Sequence, residues 1–453
     1  MKNKIKSAQI IPLSFLGAII VGTILLMLPI STAEGEATGI VTALFTSTTS
    51  ICVTGLVVVD TFSHWSLFGK IIILILIQLG GLGVISVTSI FMLMIHKRFT
   101  LGQNLMLHDA FNLDSMSGLI KFLKGVFAGT FVVEGIGALF YMIAFIPQFG
   151  VGEGIWISVF TAISAFCNAG IDIIGPNSLI DYNGNALVLI NTMFLIVLGG
   201  LGYVVWFDFV KGFAEGIHKK YSVKTVLKRL SEHTKLVLWL TLGLIISGAI
   251  VVFIAEYSNE ATLANMSLGG KILNSIFQSV TFRTAGFAAV PQDGLTDTTC
   301  AIGILYMFIG GSPVGTAGGI KTVTFFVALI NAVSFIRNRN ETVLYGRKIG
   351  RDLIHKSAAI ITVSFSVTFV MLLLILLTND VCMTDALYET FSATATVGLS
   401  RALTPKLNTI GRLIIIVSMY LGRIGPISMA LFFNFSNPDK NLVKFPRGNY
   451  FVG

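Results

Sequence analysis

The stretch Thr394-Ala395-Thr396-Val397-Gly398-Leu399 decides how this chain is read. Alone it is an apolar loop with one glycine, the mark of an ordinary turn between packed helices. Its pattern, however, occurs four times. Residues 45–55 read FTSTTSICVTG, 160–170 FTAISAFCNAG, 276–286 IFQSVTFRTAG and 388–398 YETFSATATVG. Each copy begins with a bulky apolar residue ten positions before its glycine and holds small polar residues between. The glycines Gly55, Gly170, Gly286 and Gly398 are spaced by 115, 116 and 112 residues. A near-constant period implies a repeated architecture.

Working outward, each copy is flanked by two long apolar runs. They are 10–27 and 71–95, then 122–146 and 186–210, then 236–255 and 299–336, then 357–378 and 413–435. A span of the bilayer needs about 20 apolar residues, which the long runs supply and the middle segments do not. The middle segments therefore read as re-entrant hairpins, with a short helix going in and irregular backbone coming out. Such backbone survives at membrane depth only where it lines water or is buried in protein. Composition agrees: 54% of residues are hydrophobic and 12% charged, with 46 glycines against 10 prolines. That excludes an ordinary soluble domain. Lys2, Lys4 and Lys6 lead into the first apolar run with no small-residue cleavage site before Pro29, so it reads as a membrane helix, not a signal peptide.

The net charge of +9 is sorted by side. With the N-terminus in the cytoplasm, the inner side holds His96-Lys97-Arg98, the basic stretches Lys219–Lys235 and Arg337–Lys356, and Lys440, Lys444 and Arg447. The outer side holds Glu34, Glu36, Asp60, Glu153, Asp172, Asp181, Glu256, Glu260, Asp293, Asp297, Asp380 and Asp385, with few bases. This positive-inside pattern puts all four loops on the outer side and both termini in the cytoplasm. Parallel repeats can surround one axis, whereas inverted repeats would alternate. The expected fold is an all-α polytopic membrane protein with four parallel repeats around one pseudo-fourfold pore. Each repeat is a membrane helix, a re-entrant pore helix with its filter loop, and a second membrane helix. The repeats are read as residues 1–98, 99–211, 212–340 and 341–453, the third with a broken second helix.

Glycines recur in the second runs as well: Gly80-Gly81, Gly199-Gly200, Gly310-Gly311 and Gly422 with Gly425. The first of each lies 25, 29, 24 and 24 residues past its loop glycine. They lie inside apolar runs with no preceding soluble strand, so a dinucleotide fingerprint is rejected.

A dehydrated cation needs oxygens to replace its water, and rings of backbone carbonyls supply them. The candidate ion-binding residues are Cys52, Val53, Thr54 and Gly55; Cys167, Asn168, Ala169 and Gly170; Arg283, Thr284, Ala285 and Gly286; and Ala395, Thr396, Val397 and Gly398. The motifs VTGL, NAGI, RTAGF and TVGL, with Gly422-Arg423-Ile424-Gly425-Pro426, resemble the potassium-transporter superfamily of TrkH, KtrB and plant HKT proteins. The resemblance covers 10–453 and is strongest to the KtrB type, because the chain starts directly at the first unit. It implies potassium uptake across the plasma membrane, with sodium as a candidate activator. It also implies a homodimer on a cytosolic nucleotide-binding ring of the KtrA type. No cofactor is expected in this chain, and nucleotide only on that partner.

The same resemblance marks a gate. The segment Gly310-Gly311-Ser312-Pro313-Val314-Gly315-Thr316-Ala317-Gly318-Gly319-Ile320-Lys321 is too rich in glycine to continue a helix; the alternative is a kinked helix. Arg423, placed mid-helix, is costly in a membrane and functional by default; the alternative is a buried pair. Equal distances past the loop glycines put Gly310 and Gly422 at one depth, so the segment and Arg423 should face each other. Glu389 and Arg283 read as paired with each other or with backbone, and Glu134 as a partner for a polar group. The four cysteines, Cys52, Cys167, Cys300 and Cys382, read as small buried residues. The six histidines, His64, His96, His108, His218, His233 and His355, are scattered near the ends of spans, which argues against a membrane transferase. A scaffold without flux is the remaining class, and ion uptake separates it from a transporter.

Overall fold

The computed structural model describes residues 7–83 and 119–425. The expected terminal placement, the 96–98 basic cluster, His108, Pro426 and the basic tail lie outside the described residues. In chain order the helices are α1 Ser7–Leu26, α2 Ile40–Ile51, α3 Thr61–His64, α4 Leu67–Leu82, α5 Leu119–Phe149, α6 Val151–Cys167, α7 Ala186–Leu201 and α8 Tyr203–His218. Then follow α9 Val223–Arg229, α10 Glu232–Glu256, α11 Leu268–Thr281, α12 Asp297–Phe308, α13 Thr322–Ile336, α14 Arg351–Thr378, α15 Met383–Thr394 and α16 Thr409–Ile424. A two-stranded hairpin, β1 Val343–Leu344 with β2 Arg347–Lys348, joins α13 to α14.

Composition and length explain the long elements. Residues 122–149, 232–256 and 351–378 are apolar and long enough to cross a bilayer. The helices α2, α6, α11 and α15 have 12, 17, 14 and 12 residues and are too short for that. Each packs on the long helix before it and on one helix from elsewhere, α2 on α16, α6 on α4, α11 on α7 and α15 on α12; α2, α6 and α15 also pack on α4, α7 and α16, which follow them. The helices that follow the short ones begin on polar caps. Ser66, Asn185, Thr296 and Asn408 each accept a backbone N–H from the first turn of α4, α7, α12 and α16.

Two of the long runs are broken, 299–336 as expected and 186–210 against expectation. The run 186–210 divides at Gly202, where α7 and α8 meet at 97°. The run 299–336 loses its helix between Phe308 and Thr322, a gap far longer than a kink. Of the other two runs, α4 stops at Leu82 and α16 at Ile424, which places Arg423 in a last turn and not mid-helix. The cause is common: Gly83, Gly202 and Gly425 have φ of +84°, +89° and +81°, a conformation that cannot extend a right-handed helix.

The glycines just before these stops have a different task. A Cβ on Gly80, Gly199 or Gly422 would overlap the carbonyl oxygen of Ile51, Phe166 or Thr394 respectively. Each of those carbonyls lies four residues before a loop glycine. The second glycine motif thus seats a helix against the end of a short helix, which leaves no room for a side chain. Gly80→Val is expected to destabilise the protein by about 1–3 kcal/mol. The readout is the thermal unfolding midpoint in detergent, and an unchanged midpoint would show that this seat carries no load.

Candidate functional site

The four short helices run out into four loops with one backbone pattern. Val53, Asn168, Thr284 and Thr396 have φ of +55°, +60°, +65° and +51°. Two residues on, Gly55, Gly170, Gly286 and Gly398 have φ of +98°, +63°, +82° and +96°, while the residue between stays outside the left-handed region. Alternating the sign of φ turns successive peptide planes so that their carbonyls point to one side. For a valine or threonine this conformation costs about 1–2 kcal/mol.

Hydrogen bonds from the short helices hold the pattern. Thr54, Ala169 and Val397 each donate N–H at 2.8 Å to the carbonyl of Thr49, Ser164 and Ser392. The hydroxyls of those three residues accept a second time, from Gly55 N–H at 3.0 Å, Ile171 N–H at 3.1 Å and Gly398 N–H at 3.0 Å. The third loop departs from this. Val280 stands where the hydroxyl would be, and Thr281 Oγ1 donates instead to Phe287 O at 2.7 Å.

The loops meet one another in cyclic order. A Cβ added to Gly55 would sit 2.5 Å from Ala169 O, and one on Gly170 2.6 Å from Ala285 O. One on Gly286 would sit 2.6 Å from Val397 O, and one on Gly398 would overlap Thr54 O. Each glycine therefore faces the carbonyl preceding the next glycine, and the fourth loop returns to the first. The buried hydroxyls of Thr54, Thr284 and Thr396 have no protein partner. Such oxygens, with a converging ring of carbonyls, suit a dehydrated alkali cation.

The segment between α12 and α13 packs against the foot of this ring. Its ends are clasped by Gly310 N–H to Ile320 O at 3.0 Å and Ile320 N–H to Phe308 O at 3.1 Å. Ser312 and Thr316 donate their N–H groups to Gly200 O and Gly199 O at 2.9 and 3.1 Å, and Tyr203 N–H returns a bond to Val314 O at 3.1 Å. The Thr316 hydroxyl reaches Phe166 O, at the end of α6, at 3.1 Å. A Cβ on Gly318 would stand 2.6 Å from Ala395 O, and Gly311 and Gly315 lie against Gly200 and Gly199. Arg423 completes the enclosure: Nη1 donates to Thr316 O at 2.6 Å and Nη2 to Gly80 O at 2.5 Å. Lys321 Nζ folds back onto Ala317 O at 2.6 Å. The structure thus brings Gly310, Gly311, Gly315, Gly318, Gly319, Lys321 and Arg423 into one cluster.

Other readings need correction. Glu389 and Arg283 do not pair. Glu389 accepts hydrogen bonds from Ser400 Oγ at 2.7 Å and from Thr404 Oγ1, so it ties α15 to the chain beyond Gly398. Arg283 lies three residues before Gly286, at the foot of its loop, and its buried Nε has no acceptor. They stand at different offsets from their loop glycines, three residues for Arg283 and nine for Glu389, and no ion pair joins them. Glu134, by contrast, partners polar groups as expected: it receives Gln78 Nε2 at 3.2 and 3.3 Å and the Cys167 thiol at 3.9 Å. Cys52, Cys167 and Cys300 are buried, but Cys382 is exposed.

Two residues were missed by the sequence reading. Asp172 follows Gly170 by two positions, where the other loops have Val57, Ala288 and Ser400. Burial pushes its carboxyl up to about 6, and the charge of Asp60 adds to the shift. Its offset from the loop glycine was the available signal, lost among a dozen outer acids. Arg401 pairs with Asp385 at 2.8 Å and also bonds Gln292 O at 3.1 Å, fastening two outer loops together.

Comparison with known proteins gives the family and the fold. The family model described as "TrkH: Cation transport protein" matches residues 7–445. The chain is 37% identical over 445 residues to the Ktr system potassium uptake protein B of Bacillus subtilis, covering 98% of this chain and 96% of that one. It is 33% identical over 459 residues to the potassium/sodium uptake protein NtpJ of Enterococcus hirae, covering 100% and 98%. The crystal structure of the potassium transporter TrkH from Vibrio parahaemolyticus superposes with a TM-score of 0.72 at 15% identity, over 95% of this chain and 86% of that one. These relatives are transport proteins, not enzymes. The chain belongs to the TrkH family of cation transport proteins and is a multi-pass membrane protein.

Proposed function

We propose that this protein takes up potassium through the ring formed by Gly55, Gly170, Gly286 and Gly398. The observation that carries the reading is the cyclic contact of four glycines with four carbonyls. On this reading the repeats span 1–98, 99–211, 212–340 and 341–453, all with their loops outward, and both termini are cytoplasmic. The filter is the four quartets ending in those glycines. The short helices aim their carbonyl ends, which carry partial negative charge, at the ring. Selection follows from geometry, because the carbonyls replace the water around an ion of one size. A Cβ at any of the glycines would collide with a carbonyl and hold an unfavourable φ. Gly55→Ser and Gly286→Ser are each expected to lower the preference for potassium over sodium by about tenfold. Competition uptake reads this ratio. Equal permeation of both ions in the unmodified protein would reject the potassium reading. It would favour the second one, a sodium-permeable transporter of the same fold, which the printed name of the Enterococcus relative supports.

Asp172 supplies a recruiting charge at the outer mouth. With its carboxyl raised to about 6, it is charged above that pH and neutral below it. The KM for potassium should therefore rise as external pH falls through about 6. Asp172→Asn should raise KM at neutral pH by up to about tenfold and flatten the pH step. An unaltered pH profile in the variant would assign the step to another group.

A filter selects but does not close, so a separate constriction is required. We assign it to 310–321 with Arg423, which opposes cation passage by its charge where little screening water remains. Shortening Val314–Gly318 should raise basal flux and weaken dependence on regulatory subunits. Arg423→Ala should raise flux by about tenfold, while Arg423→Lys should keep most of the barrier. Rubidium uptake by well-expressed variants measures this, and unchanged flux in both the shortened loop and Arg423→Ala would place the constriction elsewhere.

The relatives named as Ktr system proteins support an assembly with further components. We propose a homodimer docked by its basic inner face on a cytosolic nucleotide-binding ring of the KtrA type. Sodium acts as activator, and nucleotide binds only the ring. Co-purification with a co-expressed ring subunit is expected. Recovery of monomers alone would exclude the assembly.

A further inference from the structure

At Gly202 the chain turns through 97°, so α8 leaves the direction of α7. On the proposed reading of α7 as the spanning part, a helix bent this far from it lies along the membrane surface. Its far end and α9 carry Lys219, Lys220, Lys224, Lys228 and Arg229, all exposed, with no acidic residue from Ile217 to Leu230. Large apolar side chains are set among these charges and also face outward. Val210, Ile217, Val223 and Leu227 are 70%, 81%, 61% and 42% exposed. They are surplus to internal packing, because Val226 already buries α9 against Gly212 and Gly216 of α8.

Charge alone would suit an acidic protein. Bases interleaved with outward apolar groups on an in-plane helix suit a lipid, whose phosphate meets the bases and whose acyl chains meet the apolar groups. The second basic stretch, 337–351, differs. There Arg347 pairs with Glu232 at 2.9 Å, and Lys348 pairs with Glu341. We propose that the α8–α9 elbow binds anionic phospholipid headgroups of the inner leaflet. The other end of α8, at the α7–α8 break, is hydrogen-bonded to the segment 310–321 through backbone groups. Tyr203, the first residue of α8, donates to Val314 O, and the Gly199 and Gly200 carbonyls accept from Thr316 and Ser312. Occupancy of the elbow therefore biases that segment. Binding stands apart from the gate reading, while this effect on flux rests on it.

The test uses the full chain without regulatory subunits, folded as judged by size exclusion and circular dichroism. Retention of phosphatidylglycerol over phosphatidylcholine is measured by native mass spectrometry. The charge variant is Lys219→Gln with Lys220→Gln, Lys224→Gln and Lys228→Gln. The apolar variant is Ile217→Ser with Val223→Ser and Leu227→Ser, and the control is Arg337→Gln with Arg339→Gln. Wild type and control should retain the lipid, and both elbow variants should lose it by about tenfold or more. Full retention by the charge variant would overturn the site. So would full retention by the apolar variant, since a purely charged surface fits an acidic protein, and so would displacement by excess inorganic phosphate. Rubidium flux is then compared in vesicles with about a quarter phosphatidylglycerol and in phosphatidylcholine alone. A change of about threefold in wild type, absent in the charge variant, supports coupling to the gate. Equal flux in both vesicles overturns the coupling and leaves the binding result to be judged by retention. Failure of the gate reading shows separately, as unchanged flux in Arg423→Ala.

Discussion

Four backbone segments of one chain approach so closely that no side chain fits between them, and this contact constrains everything around it. Each loop must hold a left-handed residue, a residue of ordinary φ and a left-handed glycine in sequence. The first of these is Val53, Asn168, Thr284 or Thr396, and only the asparagine tolerates that conformation well. Hydroxyls on the short helices offset the cost by bonding the loop backbone, so the ring depends on where those helices end. The helix ends depend in turn on Gly80, Gly199 and Gly422, which admit a carbonyl where a Cβ would stand. One close contact is thus built upon another, and both use glycine to bring backbone to backbone.

The charges beneath the ring are arranged by the same economy of side chains. Arg423 and Lys321 are held by carbonyl oxygens, those of Thr316, Gly80 and Ala317. Among the described ion pairs neither has a carboxylate partner. Gly80 lies in the last turn of α4, where the carbonyl end of the helix carries partial negative charge and favours a guanidinium. Carbonyl dipoles satisfy the donors but leave the net positive charge in place. On the proposed reading this charge is the barrier to a cation, which a carboxylate would have cancelled.

Much of this was legible in the sequence because the decisive signal was a period. The four loop glycines could be aligned from residue types alone, and so could the segment 310–321, since its glycines forbid a continuous helix. Family membership followed from the same motifs. The bend at Gly202 was not legible. A glycine in an apolar run reads equally as a packing position, and only its φ shows that it ends a helix. For Arg283 and Glu389, pairing with each other or with backbone was open; mutual pairing fails because they stand three and nine residues before their glycines, and Glu389 ties its loop through the hydroxyls of Ser400 and Thr404. Asp172 escaped notice because composition by side does not distinguish an acid beside the ring from one at a loop tip.

The third unit departs from the pattern shared by the other three, and its departures belong together. Val280 replaces the hydroxyl that supports the loop elsewhere, and Arg283 occupies the place of Cys52, Cys167 and Ala395. Its second helix gives way to the segment 310–321, so Gly310 lies against Gly318 where Gly80, Gly199 and Gly422 lie against a short helix. Freed from that seat, the third unit can place backbone beneath the ring, bonded to the α7–α8 break on one side and to Arg423 on the other. A perfectly fourfold chain would have an equal helix end at each corner and nothing across the middle. On the proposed four-repeat reading, covalent linkage lets one unit diverge while three maintain the frame. On the proposed reading, closure of the path is a product of that divergence, not of the repeat itself.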